Sequence, residues 1–312
     1  MIQKGNAFTH FGRDIKDPPF YEGFELLHYT DLTFGSFLLH DHDVIELMLI
    51  LDGDVEVAVE GVKYDLPRGC MVIMPPKLVH QTIVPAGTKR YERIVMHIFP
   101  EYVNSIIRKL PVTSYRFEFT SQVNIIDYSP ETFWILRTLF ERAFYVKTQN
   151  EDYQRLVVPG LVVEIFAEVE HLLRDRATPP IPATNNLVTT VVDYIDEHFT
   201  EPGLTVDEIR EAVYVSQGYL SRIFKSYTGS SIYNFLTHKR LIRAKELLVS
   251  GETVLDACIS SGFTDYTSFL KTFKKAFHVT PTQYRENYQQ MAMNREAAFG
   301  GLLVEGLEGG GE

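Results

Sequence analysis

Two stretches in the last third of the chain carry side chains suited to reading DNA. Ser216, Gln217, Gly218, Ser221, Arg222 and Lys225 fall on one side of a helical repeat whose other side carries Leu220, Ile223 and Phe224. A second stretch repeats the design, with Thr267, Ser268, Lys271, Lys274 and Lys275 opposite Phe269, Phe273 and Phe277. Leu220-Ser221-Arg222-Ile223-Phe224-Lys225 thereby aligns with Phe269-Leu270-Lys271-Thr272-Phe273-Lys274. A guanidinium pairs in bidentate fashion with a guanine edge, hydroxyls and amides reach other bases, and lysines neutralise phosphates. Arg222 is the expected base reader, and Lys225, Lys274 and Lys275 are expected on phosphates. One such segment alone reads as a packed helix with solvated lysines; two matched copies favour DNA.

Each stretch needs a scaffold. Thr205-Val206-Asp207-Glu208 is a capping box opening a short helix, followed by a turn and a second helix from the N-cap Ser216. Thr253 to Asp256, a break at Gly262 and a helix from Asp265 repeat the plan. This is the helix-turn-helix design, twice. Between the copies, Ile232 to Ser250 reads as one helix spanning roughly 28 Å, which can hold two reading heads about one DNA turn (~34 Å) apart. The chain as a whole carries a charge of −11, yet Ser216 to Tyr288 holds ten basic residues against five acidic ones, about +5.

The run from Ser216 to Leu248, Gly262-Phe263, Phe273-Lys274, and Thr280-Pro281 with Tyr284-Arg285 closely resemble the DNA-binding domain of the AraC/XylS family of transcription regulators. The resemblance covers about Leu187 to Tyr288. It implies double-stranded DNA and RNA polymerase as partners and a small-molecule effector, with a carbohydrate the leading expectation; it leaves open activation or repression. Arg210 and Cys258 stand where the family has small alanines, and His278 where it has a glycine in left-handed conformation.

His40-x-His42-x-x-x-Glu46, then Gly53, Gly69, Pro75 and His80, resemble the two motifs of the cupin barrel, with Lys77 and Val84 as departures. That resemblance implies a sensor domain in which His40, His42, Glu46 and His80 bind an effector or a divalent metal; imidazoles and a carboxylate suit Zn, Ni, Fe or Mn. No cofactor is certain from the sequence. On one straight strand His40 and Glu46 would lie roughly 20 Å apart, so the chain must reverse near Asp43-Val44 for them to share a ligand. Hydrogen bonds to an organic effector, or purely structural histidines, remain open.

The elements follow a change of period. Glu46 to Leu51, the Asp52-Gly53 turn and Val55 to Glu60 read as a hairpin with one wet face, and Cys70–Met74 and Arg90–Phe99 as further strands. From Ser129 the period is helical, with Phe133, Leu136, Phe140 and Phe144 on one helix and Leu156, Leu161, Ile165, Val169 and Leu172 on the next; such stripes are more often core than interface, but between two domains a homodimer contact is the expectation. The expected organisation is α+β and multidomain: a cupin-like β domain over 1–128, a helical dimerisation segment over 129–176, a linker over 177–185, an all-α DNA-binding domain over 186–288 and a disordered tail over 289–312. A composition of 45% hydrophobic and 23% charged residues excludes disorder throughout, and the apolar runs are too short for a membrane span or a secretory signal, so a cytoplasmic chain is expected. Cys70 and Cys258 read as buried fillers, too few for a metal site. The rival to an effector-responsive regulator is a cupin metalloenzyme, an isomerase or dioxygenase, with a helical appendage; an enzyme has no use for two reading heads.

Overall fold

A computed structural model of the protein describes residues 23–33, 37–110, 122–126, 130–175 and 183–290. The N-terminal half is built on strands β1 (Phe24–Asp31), β2 (Ile45–Asp52), β3 (Val55–Val59), β4 (Val62–Leu66), β5 (Met71–Met74), β6 (His80–Ile83) and β7 (Tyr91–Ile98), helix α1 (Pro100–Ile107) and strand β8 (Asn124–Ile126). They form two antiparallel sheets, one ordered β1-β7-β2-β5-β8 and one ordered β4-β3-β6. Leu27, Met48, Ile50, Val57, Val72 and Val95 pack between the sheets.

The expected hairpin across Asp52-Gly53 is corrected. Both strands exist, but β2 pairs with β5 and β7 and β3 with β4 and β6, so Gly53 carries the chain from one sheet to the other. Its φ is 93°, and a Cβ there would lie 2.4 Å from the Arg90 carbonyl oxygen. The tight hairpin is instead β3–β4, turning through Glu60 (φ 46°) and Gly61 (φ 77°), the paired positive angles that a right-handed strand twist favours.

Seven of the eight residues of β2 are buried, because helices cover the far face of the larger sheet. Helices α2 (Pro130–Lys147) and α3 (Glu151–Asp175) place Leu136, Phe140, Leu161, Ile165 and Val169 against Leu47, Leu49, Ile73 and Met96. This corrects the expected dimer contact. Leu161 and Ile165 are core of a single chain, each contributing roughly 1.5–3 kcal/mol by burial, whereas Leu156 is 80% exposed.

The C-terminal half is helical: α4 (Asn186–His198), α5 (Val206–Ala212), α6 (Gln217–Thr228), α7 (Ile232–Val249), α8 (Val254–Ser260) and α9 (Tyr266–Phe277), with a further helical run over residues 281–290. That run passes through the start expected for the tail; the rest of the tail, and the expected linker up to residue 182, lie outside the described residues. Two small cores form around α7. Val188, Ile195, Ile209, Leu220, Phe224 and Phe235 make one, and Leu241, Ala244, Leu248, Ala257, Cys258, Phe269 and Phe273 the other. Both cysteines are free and buried. Among the described residues, no helix is long and apolar enough to cross a membrane.

Candidate functional site

The first recognition segment begins where the capping box ends. Thr205 Oγ1 accepts from Glu208 N–H at 3.2 Å, and Thr205 N–H donates to the Glu208 carboxylate at 2.8 Å, so two helix-end amides of α5 are satisfied reciprocally. The second unit opens with Thr253 capping α8 and Asp265 capping α9. Leu220 and Phe224 pin α6 to one core, and Phe269 and Phe273 pin α9 to the other. Their opposite faces are open: Ser216, Gln217, Gly218, Ser221, Arg222 and Lys225 on the first unit, and Thr267, Ser268, Lys271, Lys274 and Lys275 on the second, are all exposed. Tyr219 and Tyr266, at 48% and 41% exposure, lie in the first turns of these helices; aromatic residues there carried no basic signal and sequence reasoning passed them over.

The second constellation lies in the β domain. The chain reverses before β2, at Asp43-Val44 as the separation of His40 from Glu46 demanded, and His42, Glu46 and His80 converge, buried, with one ligand atom from each within 4.8 Å of the others. His40, half-buried, stands beside them, its ring 4.2 Å from that of His80 and 6.1 Å from that of His42. A fourth imidazole, His97, was missed in the sequence. It faces Glu46 across the β2–β7 register, and its Nε2 lies 3.4 Å from Glu46 Oε1. A histidine at the end of the apolar run Ile94-Val95-Met96 was the available signal.

Backbone carbonyls set the tautomers. His40 Nδ1 donates to Leu38 O (2.9 Å), His42 Nδ1 to Val44 O (2.9 Å) and His80 Nδ1 to Leu78 O (2.8 Å). A carbonyl can only accept, so in the neutral rings the protons sit on Nδ1. His42 Nε2 and His80 Nε2 therefore turn lone pairs toward Glu46 Oε2, at 3.2 and 3.4 Å. His80 Nε2 is buried with no hydrogen-bond partner. In that tautomer acceptors face an acceptor in a buried place, an arrangement that a shared proton or a bound cation relieves.

The charge states agree with that arrangement. Burial would raise the Glu46 carboxyl, but the imidazoles packed against it, with charged His97 among them, outweigh burial and hold the group well below the usual range, ionised. Burial pushes His42 down, and burial with the neighbouring His80 and His42 pushes His40 well down, so both are neutral near pH 7. Burial opposes the charging of His97, yet Glu25 and Glu46 lift it to about 9. Neutral imidazoles beside an ionised carboxylate are the forms in which these groups bind a divalent ion.

A β domain with a buried polar centre thus shares one chain with two helix-turn-helix units whose basic faces are open. The AraC-like ligand binding domain matches residues 25–156 and a helix-turn-helix domain matches residues 209–287. The chain thus carries an AraC-like ligand binding domain followed by a helix-turn-helix domain. An HTH-type transcriptional regulator of Staphylococcus aureus (strain COL) is 30% identical over 165 residues, 52% of this chain and 22% of that protein. The HTH-type transcriptional regulator YijO of Escherichia coli (strain K12) is 28% identical over 160 residues, 50% of this chain and 52% of its own. The chain thus spans between about a fifth and about half of the length of these relatives. Among solved structures, apo ToxT from Vibrio cholerae is similar over 84% of this chain and 97% of its own at 14% identity, with a TM-score of 0.40. The C-terminal domain of AraT, a response regulator from Geobacillus stearothermophilus, is 35% identical over 33% of this chain and 85% of its own, with a TM-score of 0.32.

Proposed function

We propose that the protein is a sequence-specific DNA-binding regulator whose β domain senses a ligand at the His42–Glu46–His80 cluster. The observation that carries the DNA reading is the pair of open recognition faces, each backed by its own aromatic core and joined through α7. Eighteen residues of helix give α7 a length of about 27 Å, so the two faces can address successive major grooves of one duplex. Double-stranded DNA is the principal partner, and RNA polymerase follows from the AraC/XylS resemblance.

At the sensing site the donor set fits a divalent ion better than an organic effector. Ligand atoms within 4.8 Å of one another leave room for an ion with bonds of about 2.0–2.2 Å after small side-chain movements, and no room for a sugar ring between them. His42, Glu46 and His80 would hold the ion, with His40 and His97 at its border. The ion would supply the positive charge that the converging lone pairs lack. Burial of all three groups favours sensing over catalysis, since a catalytic ion needs a position open to substrate.

Self-association of two copies would use the outer faces of α2 and α3. Trp134, Tyr145 and Leu156 are 58%, 59% and 80% exposed there, and their burial would leave both recognition faces free.

The test of the DNA reading is selection of duplex fragments by the full-length protein from a random pool, at physiological salt. Enrichment of a site with two half-sites about one turn apart is expected; a pool that emerges without sequence preference overturns the proposal.

A further inference from the structure

The histidine cluster and the contact between the two halves of the protein share a wall one strand thick. His40 and His80 face each other across an antiparallel bridge, His40 N–H donating to His80 O at 3.0 Å and His80 N–H to His40 O at 2.9 Å. Successive side chains of extended backbone point to opposite sides. Here the alternation sorts the chemistry. His40, His42 and His80 turn into the cluster, while Leu39, Asp41, Val79 and Gln81 turn toward the helical half.

Each outward side chain meets a helix that carries or joins the reading heads. Val79 and Leu39 pack with Val188, Val192 and Phe235. Gln81 lies against Gly229 at the end of α6, where a Cβ would come within 2.8 Å of its Cδ. Asp41 Oδ2 accepts from Lys245 Nζ at 2.6 Å, and Asp41 Oδ1 accepts from His238 Nε2 at 3.1 Å. His238 and Lys245 lie two turns apart on one face of α7. Nearby, Lys239 of α7 pairs with Glu60 at 2.6 Å.

We propose that Asp41 couples the state of the histidine cluster to the position of α7, and thereby to the spacing of the two recognition helices. The proposal rests on the reading of the cluster as the sensing site. Both backbone neighbours of Asp41 are cluster histidines, so closure of His40 and His42 on a ligand moves the Asp41 backbone. Asp41 and Lys245 are 2% and 7% exposed, and water has no access to replace either partner. The pair must therefore follow the movement or break, and a broken buried pair is strongly unfavourable. Because α7 is a single helix with one unit at each end, a tilt of its middle changes where both heads lie.

The experiment compares full-length wild type, Asp41→Asn, and Asp41→Asn with Lys245→Met, which removes the coupling without leaving a buried unpaired ammonium. Amide exchange of α7 is followed by mass spectrometry with zinc chloride and with chelator, and bound zinc is counted by elemental analysis. Wild type is expected to change exchange across α7 by about tenfold on zinc binding, and both variants to bind zinc equally without that change. If the variants bind zinc and α7 responds as in wild type, the coupling does not run through Asp41. If wild type takes up no zinc, nickel or manganese, the ion reading fails separately. The coupling is then judged with Glu46→Gln, which should alter α7 exchange when Asp41 is present and leave it unchanged in the Asp41→Asn protein. An equal response in both backgrounds, including none, overturns the proposal.

Discussion

Tyr214 occupies in the first helix-turn-helix the left-handed place that Gly262 occupies in the second, each two residues beyond the end of the unit's first helix, with φ of 54° and 88°. The same backbone need is met by different residues because the surroundings differ. Tyr214 is 94% exposed, whereas a Cβ on Gly262 would lie 2.4 Å from the Phe199 carbonyl oxygen and 2.9 Å from Arg240 Nε.

Opposite responses to substitution follow. Gly262→Ala should cost more than about 2 kcal/mol, since it combines left-handed strain with a backbone clash. Tyr214→Gly should gain about 0.5–1 kcal/mol, left-handed strain removed less the extra freedom of an unfolded glycine. His278→Gly, at φ 60° beyond α9, should gain similarly. Urea titration of the full chain checks all three, and a neutral Gly262→Ala would sink the steric account.

Arg222→Ala should weaken binding to a selected site by roughly 1–3 kcal/mol and relax base preference in one half-site only. Lys225→Ala, Lys274→Ala and Lys275→Ala should instead weaken all sequences alike, each lowering the slope of log affinity against log salt by about one. Binding measured on matched and mismatched fragments at several salt concentrations separates the two kinds of contact.

Ile165→Lys should unfold the β domain rather than dissociate a dimer. Ile165 is wholly buried against the larger sheet, and an unpaired ammonium there costs several kcal/mol. Trp134→Lys with Leu156→Lys should leave circular dichroism and melting unchanged while converting any dimer to monomer in light scattering. A folded Ile165→Lys protein would contradict the packing described above.

Protein purified without chelator should carry close to one equivalent of divalent metal, and His42→Ala should lose it. Ion at a hundredfold excess over its dissociation constant stabilises by about 2.7 kcal/mol. Chelation should therefore lower the melting temperature of the wild-type β domain by several degrees and leave that of His42→Ala unmoved. Elemental analysis with differential scanning calorimetry reads both.

The helix-turn-helix units were legible because their signals are local. Thr205 with Glu208, Ser216, Thr253, Asp265 and the aromatic spacing of Phe269, Phe273 and Phe277 each declare an element within one or two turns. Errors arose where a contact joins distant segments. Nothing near Asp52 tells β2 to seek β5 and β7 in place of β3, and nothing in α3 tells Leu161 and Ile165 that their partner is the back of a sheet. His97 joins Glu46 only through the β2–β7 register. Asp41 was unremarkable in sequence, since its partners Lys245 and His238 lie some two hundred positions away.

The alternating wall from Leu39 to His42 also fixes how this region can vary between related proteins. Deleting or inserting one residue there would invert every side chain beyond it, presenting Asp41 to the lone pairs of the cluster and a histidine to the buried ammonium of Lys245. Both faces would be wrong at once. Relatives can therefore retune ligand preference by exchanging residues at positions 40, 42 and 80, but the length of this segment should stay constant wherever the two halves of the protein are packed in this way.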